Sequence, residues 1–164
     1  MERRDSRIYS YKIKDPYIDR SLYKDPTICP TCGLIYHEKR WRNDPELIKN
    51  LKENKKKVHS KECPACRKIK DRYPLGIVEI EGEFVKEKNK EIHARIKHIA
   101  SEEFNHNPLE RIIEVQNSEG KITIATTTEH LAEKIGKKIS KTFHKNIKIS
   151  FSEEEKLVRV YVSE

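Results

Sequence analysis

The alternation of apolar and polar positions is most regular after Pro74-Leu75-Gly76. Val78, Ile80, Gly82 and Phe84 alternate there with Glu79, Glu81 and Glu83, which predicts a half-buried strand. Ile92, Ile96 and Ile99 share one face of a helix expected from about 88 to 104, closed by Asn105-His106-Asn107-Pro108. A strand is expected near 109–116, then the turn Asn117-Ser118-Glu119-Gly120 and a strand near 121–125. Thr126, with Glu129 three positions on, fits a capping box, and Leu131, Ile135, Ile139 and Phe143 carry the helix it opens. Two more alternating runs, Ile147/Ile149/Phe151 and Val158/Val160/Val162, flank the turn Ser152-Glu153-Glu154-Glu155. The order β-α-β-β-α-β-β is a split βαβ, ferredoxin-like arrangement with one added strand. An antiparallel sheet with both helices on one face is its simplest solution, so the expected fold class is α+β.

Upstream the pattern is shorter in range. Asp44-Pro45 supplies a cap and a first-turn proline, and Leu47, Ile48 and Leu51 give a helix over about 45–56 with Lys55-Lys56-Lys57 at its negative end. Residues 1–28 interleave Tyr9, Tyr11, Tyr17 and Tyr23 with arginines and lysines, and Pro16 and Pro26 break any helix. This predicts a basic, extended arm. It either tracks a nucleic-acid backbone with its tyrosines on unpaired bases or drapes over the surface as a tail. The expected division is an arm (1–28), a four-cysteine module (29–73) and an α+β domain (74–164).

The chain has four cysteines, in two Cys-x-x-Cys pairs: Cys29-Pro30-Thr31-Cys32-Gly33 and Cys63-Pro64-Ala65-Cys66. Each tight turn can aim two sulfurs at one point, and four thiolates favour zinc, with iron as the competitor. One structural Zn2+ held by Cys29, Cys32, Cys63 and Cys66 is expected. Two disulfides would need an oxidising compartment, and the chain does not start with an apolar signal peptide. His37 and His59 lie within this stretch, but four matched cysteines leave no vacancy for them as ligands.

Charge adds a direction. The formal net charge is +8, and residues 1–72 hold 20 Lys+Arg against 11 Asp+Glu, leaving 15 against 16 in the remainder. The whole basic excess sits with the cysteines, which invites a polyanionic partner. Lys39, Arg40, Arg42, Arg67, Lys68, Lys70 and Arg72 are the expected phosphate contacts. Trp41, the only tryptophan, either stacks on a base or packs across the zinc site. No apolar run approaches membrane-span length, and abundant Lys, Glu and Ile with a single glutamine resembles thermophile composition, so a soluble cytoplasmic protein is expected. Gly120-Lys121 is no phosphate loop, because Val115 and Ile122 stand where glycine and Ser/Thr are needed. No nucleophile or histidine pair has a catalytic setting, so neither an enzyme nor a small-molecule substrate is expected.

Cys29-Pro-x-Cys32-Gly33, Lys39-Arg40-Trp41, Cys63-Pro-x-Cys66-Arg67-Lys68 and Asp71-Arg72-Tyr73-Pro74 with Gly76, in this order, resemble the zinc-bearing N-terminal region of the nonsense-mediated decay protein three family. Asn107-Pro108-Leu109-Glu110-Arg111 and the run from Ile124 to Ala132 resemble the same region in its short prokaryotic relatives, so the likeness spans most of 29–162. That family adapts the large ribosomal subunit for export and maturation. The resemblance implies zinc on the cysteines and ribosomal RNA, or a ribosomal protein, as partner, in assembly, maturation or resting ribosomes. The chain stops where longer members continue, so nuclear export is not implied. The other reading is a protein-interaction adaptor whose zinc only folds the N-terminal half. A DNA-binding regulator lacks a recognition-helix signature, and the aromatic motif of an RNA-recognition sheet is absent.

Overall fold

The computed structural model describes residues 14–18 and 22–164. Two sheets organise them. The first is small, with order β3-β2-β1-β4, built from β1 (Thr27–Ile28), β2 (Ile35–His37), β3 (Arg40–Arg42) and β4 (His59–Ser60). Helix α1 (Pro45–Glu53) is inserted between β3 and β4, and α2 (Pro64–Asp71) follows β4. Asp44 caps α1 by accepting from the Leu47 amide at 3.0 Å. The helix stops before the lysine run: Lys55 already has φ 52°, so these lysines follow the last turn instead of forming it.

The second sheet contains β5 (Gly76–Glu81), β6 (Ile112–Ser118), β7 (Lys121–Thr126), β8 (Asn146–Phe151) and β9 (Val158–Ser163) in the order β6-β7-β5-β9-β8. The short α3 (Glu83–Glu87) and long α4 (Asn89–His106) join β5 to β6, and α5 (Glu129–Phe143) joins β7 to β8. The fold is α+β, in the expected element order, but the sheet is mixed. β9 enters between β5 and β8 and runs parallel to β5, while every other pair is antiparallel. Apolar burial explains the choice. Val158, Val160 and Val162 of β9 are fully buried, whereas β8 alternates with Lys148 and Ser150 and leaves Ile147 exposed, so β9 takes the interior place and β8 the edge.

Two local expectations change. The strand ends at Glu81, because Gly82 adopts φ 142°, a region side chains avoid, and turns the chain into α3; Phe84 is therefore helical, buried against Phe143. Helix α5 is capped by Thr128, which accepts from the Leu131 amide at 3.1 Å, and not by Thr126, which is buried at the end of β7 and donates to the Thr128 carbonyl.

The core lies between one sheet face and the helices: Val78, Ile80, Ile122 and Ile124 meet Ile92, Ile96 and Ile99 of α4 and Leu131, Ile135 and Ile139 of α5. Helix α5 lies unusually close to the sheet at Gly136, where a Cβ would come within 2.2 Å of Val160 Cγ1. Gly136→Ala should therefore lower stability by about 1–3 kcal/mol despite alanine's better helix propensity. Urea unfolding checks this; an unchanged or raised midpoint would show that the helix can lift off without cost.

Candidate metal centre

The first cysteine pair leaves β1 through a tight turn. The Gly33 amide donates to the Cys29 carbonyl at 2.9 Å, the Cys29 amide to Leu34 at 2.8 Å, and Gly33 itself sits at φ 79°. The second pair is built differently from a matching turn. Cys63 is the N-cap of α2, with Pro64 in the first turn, and its sulfur accepts from the Cys66 amide at 3.4 Å. The Cys63 amide in turn donates to Cys29 Sγ at 3.3 Å. Backbone amides and a helix N-terminus thus face the sulfurs, an arrangement that favours thiolates.

All four sulfurs lie within 4.8 Å of one another, with Cys32 and Cys63 3.7 Å apart. No pair is disulfide-bonded. A tetrahedral thiolate site with metal–sulfur bonds of about 2.3 Å has edges of about 3.8 Å, so the donor set fits a metal ion. Cys29, Cys63 and Cys66 are buried and Cys32 faces solvent.

A residue from the C-terminal half completes the site. Arg111 directs its guanidinium at Cys32 Sγ (3.2 Å) and Cys66 Sγ (3.3 Å), with Cys63 Sγ at 4.0 Å, while its Nε donates to the Pro108 carbonyl at 3.0 Å. Its plane lies over the Phe104 ring, and Phe104 and Leu109 pack against the cysteines. In the metal-free cluster the hydrogen bond from Cys63 pushes the Cys32 thiol well down, helped by Arg111 against the cost of burial. The same bond, and then burial, push Cys63 up, while burial raises Cys66. Metal binding must displace those retained protons, so acid favours release. Among the described residues no spacing signal announces Arg111; only its place in the Asn107–Arg111 segment hinted at a role.

The cations expected at a phosphate surface fall into two groups. Lys39 and Arg40 are exposed on the β2–β3 hairpin, and neither pairs with a carboxylate among the described residues. Arg42 follows them, bonded to Glu38 at 3.0 Å. On α2, Lys70 and Arg72 are exposed, Lys70 near Glu62, and Arg67 lies over the Tyr17 ring. Trp41 packs edge-on against Tyr23 and obliquely against Tyr36. Lys68 is not a surface cation. It is 2 % exposed, its ammonium held by Asp15 and by the Thr127 carbonyl at 2.9 Å. Position 68 follows the inward face of α2, so its charge serves the seam between the two sheets. Of the arm, Tyr17 bonds Asp71 and stacks near Tyr73, and Tyr23 is buried, so both serve packing. Tyr9 and Tyr11 lie outside the described residues. His37 bonds Asp25 at 2.7 Å.

No family model, characterised protein or solved structure matches the chain. The site therefore stands on its own geometry.

A second cluster, Glu103, Glu110 and His130, also converges. His130 Nδ1 is 2.6 Å from Glu110, and Lys134 is 3.3 Å from Glu103. Burial raises the Glu110 carboxyl, whereas for Glu103 burial, the largest single influence, is overcome by the bond and charge of Lys134 together with Glu110 and His130, which hold it low. Its own lysine and histidine already balance this cluster.

Two outcomes are expected. Arg111→Ala should weaken metal binding by about 10–100-fold, the usual effect of losing an outer partner, and Arg111→Lys by less. Competition between the protein and a chromophoric chelator reads this directly, and equal affinities would remove Arg111 from the site. Asp15→Ala, which strands a buried ammonium, should cost about 3–5 kcal/mol, and adding Lys68→Met should recover most of it. Denaturant titrations of the single and double variants would show no recovery if the pair acts through something other than burial of charge.

Proposed function

We propose that this is a zinc-stabilised, non-enzymatic RNA-binding protein acting on ribosomal RNA, with the large ribosomal subunit as its target in assembly, maturation or the resting state. The observation that carries this is the one-sided charge. Residues 1–72 hold 20 Lys+Arg against 11 Asp+Glu, and Lys39, Arg40 and Arg72 stand exposed without a carboxylate partner among the described residues. Four thiolates and no competing hard ligand favour one zinc ion per chain. The zinc is structural: it joins β1 to the start of α2 and so fixes the scaffold on which these cations stand. The choice of the large subunit rests on the ordered likeness to the nonsense-mediated decay protein three family. A cytoplasmic location accords with this reading, and among the described residues no helix is long and apolar enough to cross a membrane.

A second reading, a protein-interaction adaptor, is favoured by the second sheet, whose face opposite the helices carries Glu79, Thr123, Lys148 and Tyr161 and is covered by no helix among the described residues. Salt separates the two. With about five phosphates contacted, affinity for ribosomal RNA should fall roughly 10²–10³-fold between 50 and 200 mM salt. Charge reversal at Arg40, Arg42 and Arg67 together should abolish sedimentation with large subunits under the RNA reading and spare it under the adaptor reading. Sedimentation of the zinc-loaded chain through sucrose gradients at both salt concentrations measures this; a salt-independent association would exclude electrostatic RNA binding.

A further inference from the structure

The β2–β3 hairpin and the last turn of α4 face one another across a groove that the metal centre leaves free. It has two adjoining stretches, of about 390 and 530 Å³, which share Arg40, Trp41, His106 and Pro108 as walls. The first stretch continues over Tyr23 and Tyr36 to Lys39, and the second over Phe104 to Arg42. No carboxylate of the described residues lines either stretch. In a chain with 27 Asp and Glu, that selection of aromatic, cationic and amide groups points to one kind of ligand.

We infer that this groove is the track for an unpaired stretch of RNA, a reading that rests on the RNA-binding function proposed above and gives it a site. Trp41 and Phe104, half-buried among the cations along the groove, offer ring surface to bases, while Tyr23 and Tyr36 are buried and back Trp41. Lys39 and Arg40, without a carboxylate partner among the described residues, take phosphates at one rim. Arg42 is already bonded to Glu38 at 3.0 Å and contributes less charge. On the opposite side α4 ends at His106, and Asn105 there and Asn43 beside β3 line the groove with carboxamides that can both donate to and accept from base edges. A duplex has no free ring face to place on Trp41, because each base is covered by its neighbours; an unpaired base does. One wall comes from the β2–β3 hairpin and the other from the end of α4, which Arg111 and the packing of Phe104 and Leu109 link to the cysteines.

Trp41 is the only tryptophan and reports on the groove. The zinc-loaded full chain is titrated with a mixed-sequence, single-stranded RNA of about eight nucleotides and, separately, with a blunt duplex of the same sequence. Binding is followed by anisotropy of labelled RNA and by Trp41 fluorescence. The expected result is tighter binding of the single strand, with quenching of Trp41. Weakening of about tenfold or more is expected in His106→Glu and in Arg40→Glu, with Lys148→Glu on the far sheet edge unchanged. Both altered side chains are exposed, and circular dichroism checks that the variants fold. Salt-sensitive RNA binding with no Trp41 quenching, and with His106→Glu indistinguishable from the parent, would overturn the groove while leaving the RNA-binding reading intact. Absence of binding to any RNA would overturn both.

Discussion

Four sulfurs drawn within 4.8 Å of one another are the constraint on which the N-terminal half depends. Besides the cysteines, its core among the described residues rests on Tyr23, Leu34, Ile35, Tyr36 and Ala65. Its strands are two or three residues long, and α1 buries no residue completely. So small a set of elements gains too little from apolar burial to offset its chain entropy unaided. A metal ion held by the four cysteines would cross-link β1 to α2, and through them the hairpin and the helix that carry the exposed cations. A four-thiolate site around a divalent ion retains two negative charges, and Arg111 answers one of them from the other half of the chain.

The two halves are consequently joined by polar contacts of opposite direction. Arg111 reaches from the start of β6 into the cysteine site, and Lys68 reaches from α2 to the Thr127 carbonyl at the end of β7. Thr127 also accepts from the Arg111 amide through its hydroxyl and donates its own amide to the Arg111 carbonyl, so both contacts converge on one short segment. Lys68 is removed from water and Arg111 is half-buried, and each is tolerated because its charge is met by fixed partners. Geometry of this kind gives the seam a defined register that apolar packing by Phe104 and Leu109 alone would not.

Much of this was legible in the chain because it is carried by periodicity or spacing. The strand and helix runs of the second half depend on local alternation, and the cysteine pairs on a short-range pattern whose ligand chemistry is restrictive. What was not legible depends on choices made in three dimensions. The preference of β9 over β8 for the interior follows from comparing two strands that each alternate correctly. Lys68 looks like its exposed neighbours Arg67 and Lys70 in sequence, and only the orientation of α2 turns it inward toward Asp15. Arg111 belongs to a segment far along the chain from the sulfurs it touches. Thr126 has the capping-box spacing to Glu129, but β7 claims it as its last residue and leaves the cap to Thr128.

One metal ion bound by these four cysteines would organise the basic half and its docking to the rest of the chain. X-ray absorption at the zinc edge of the purified chain tests this most directly. Four sulfur ligands at about 2.3 Å, with one zinc per chain, are the predicted result. A shell containing nitrogen or oxygen, or protein that is fully folded with no metal bound, would contradict it.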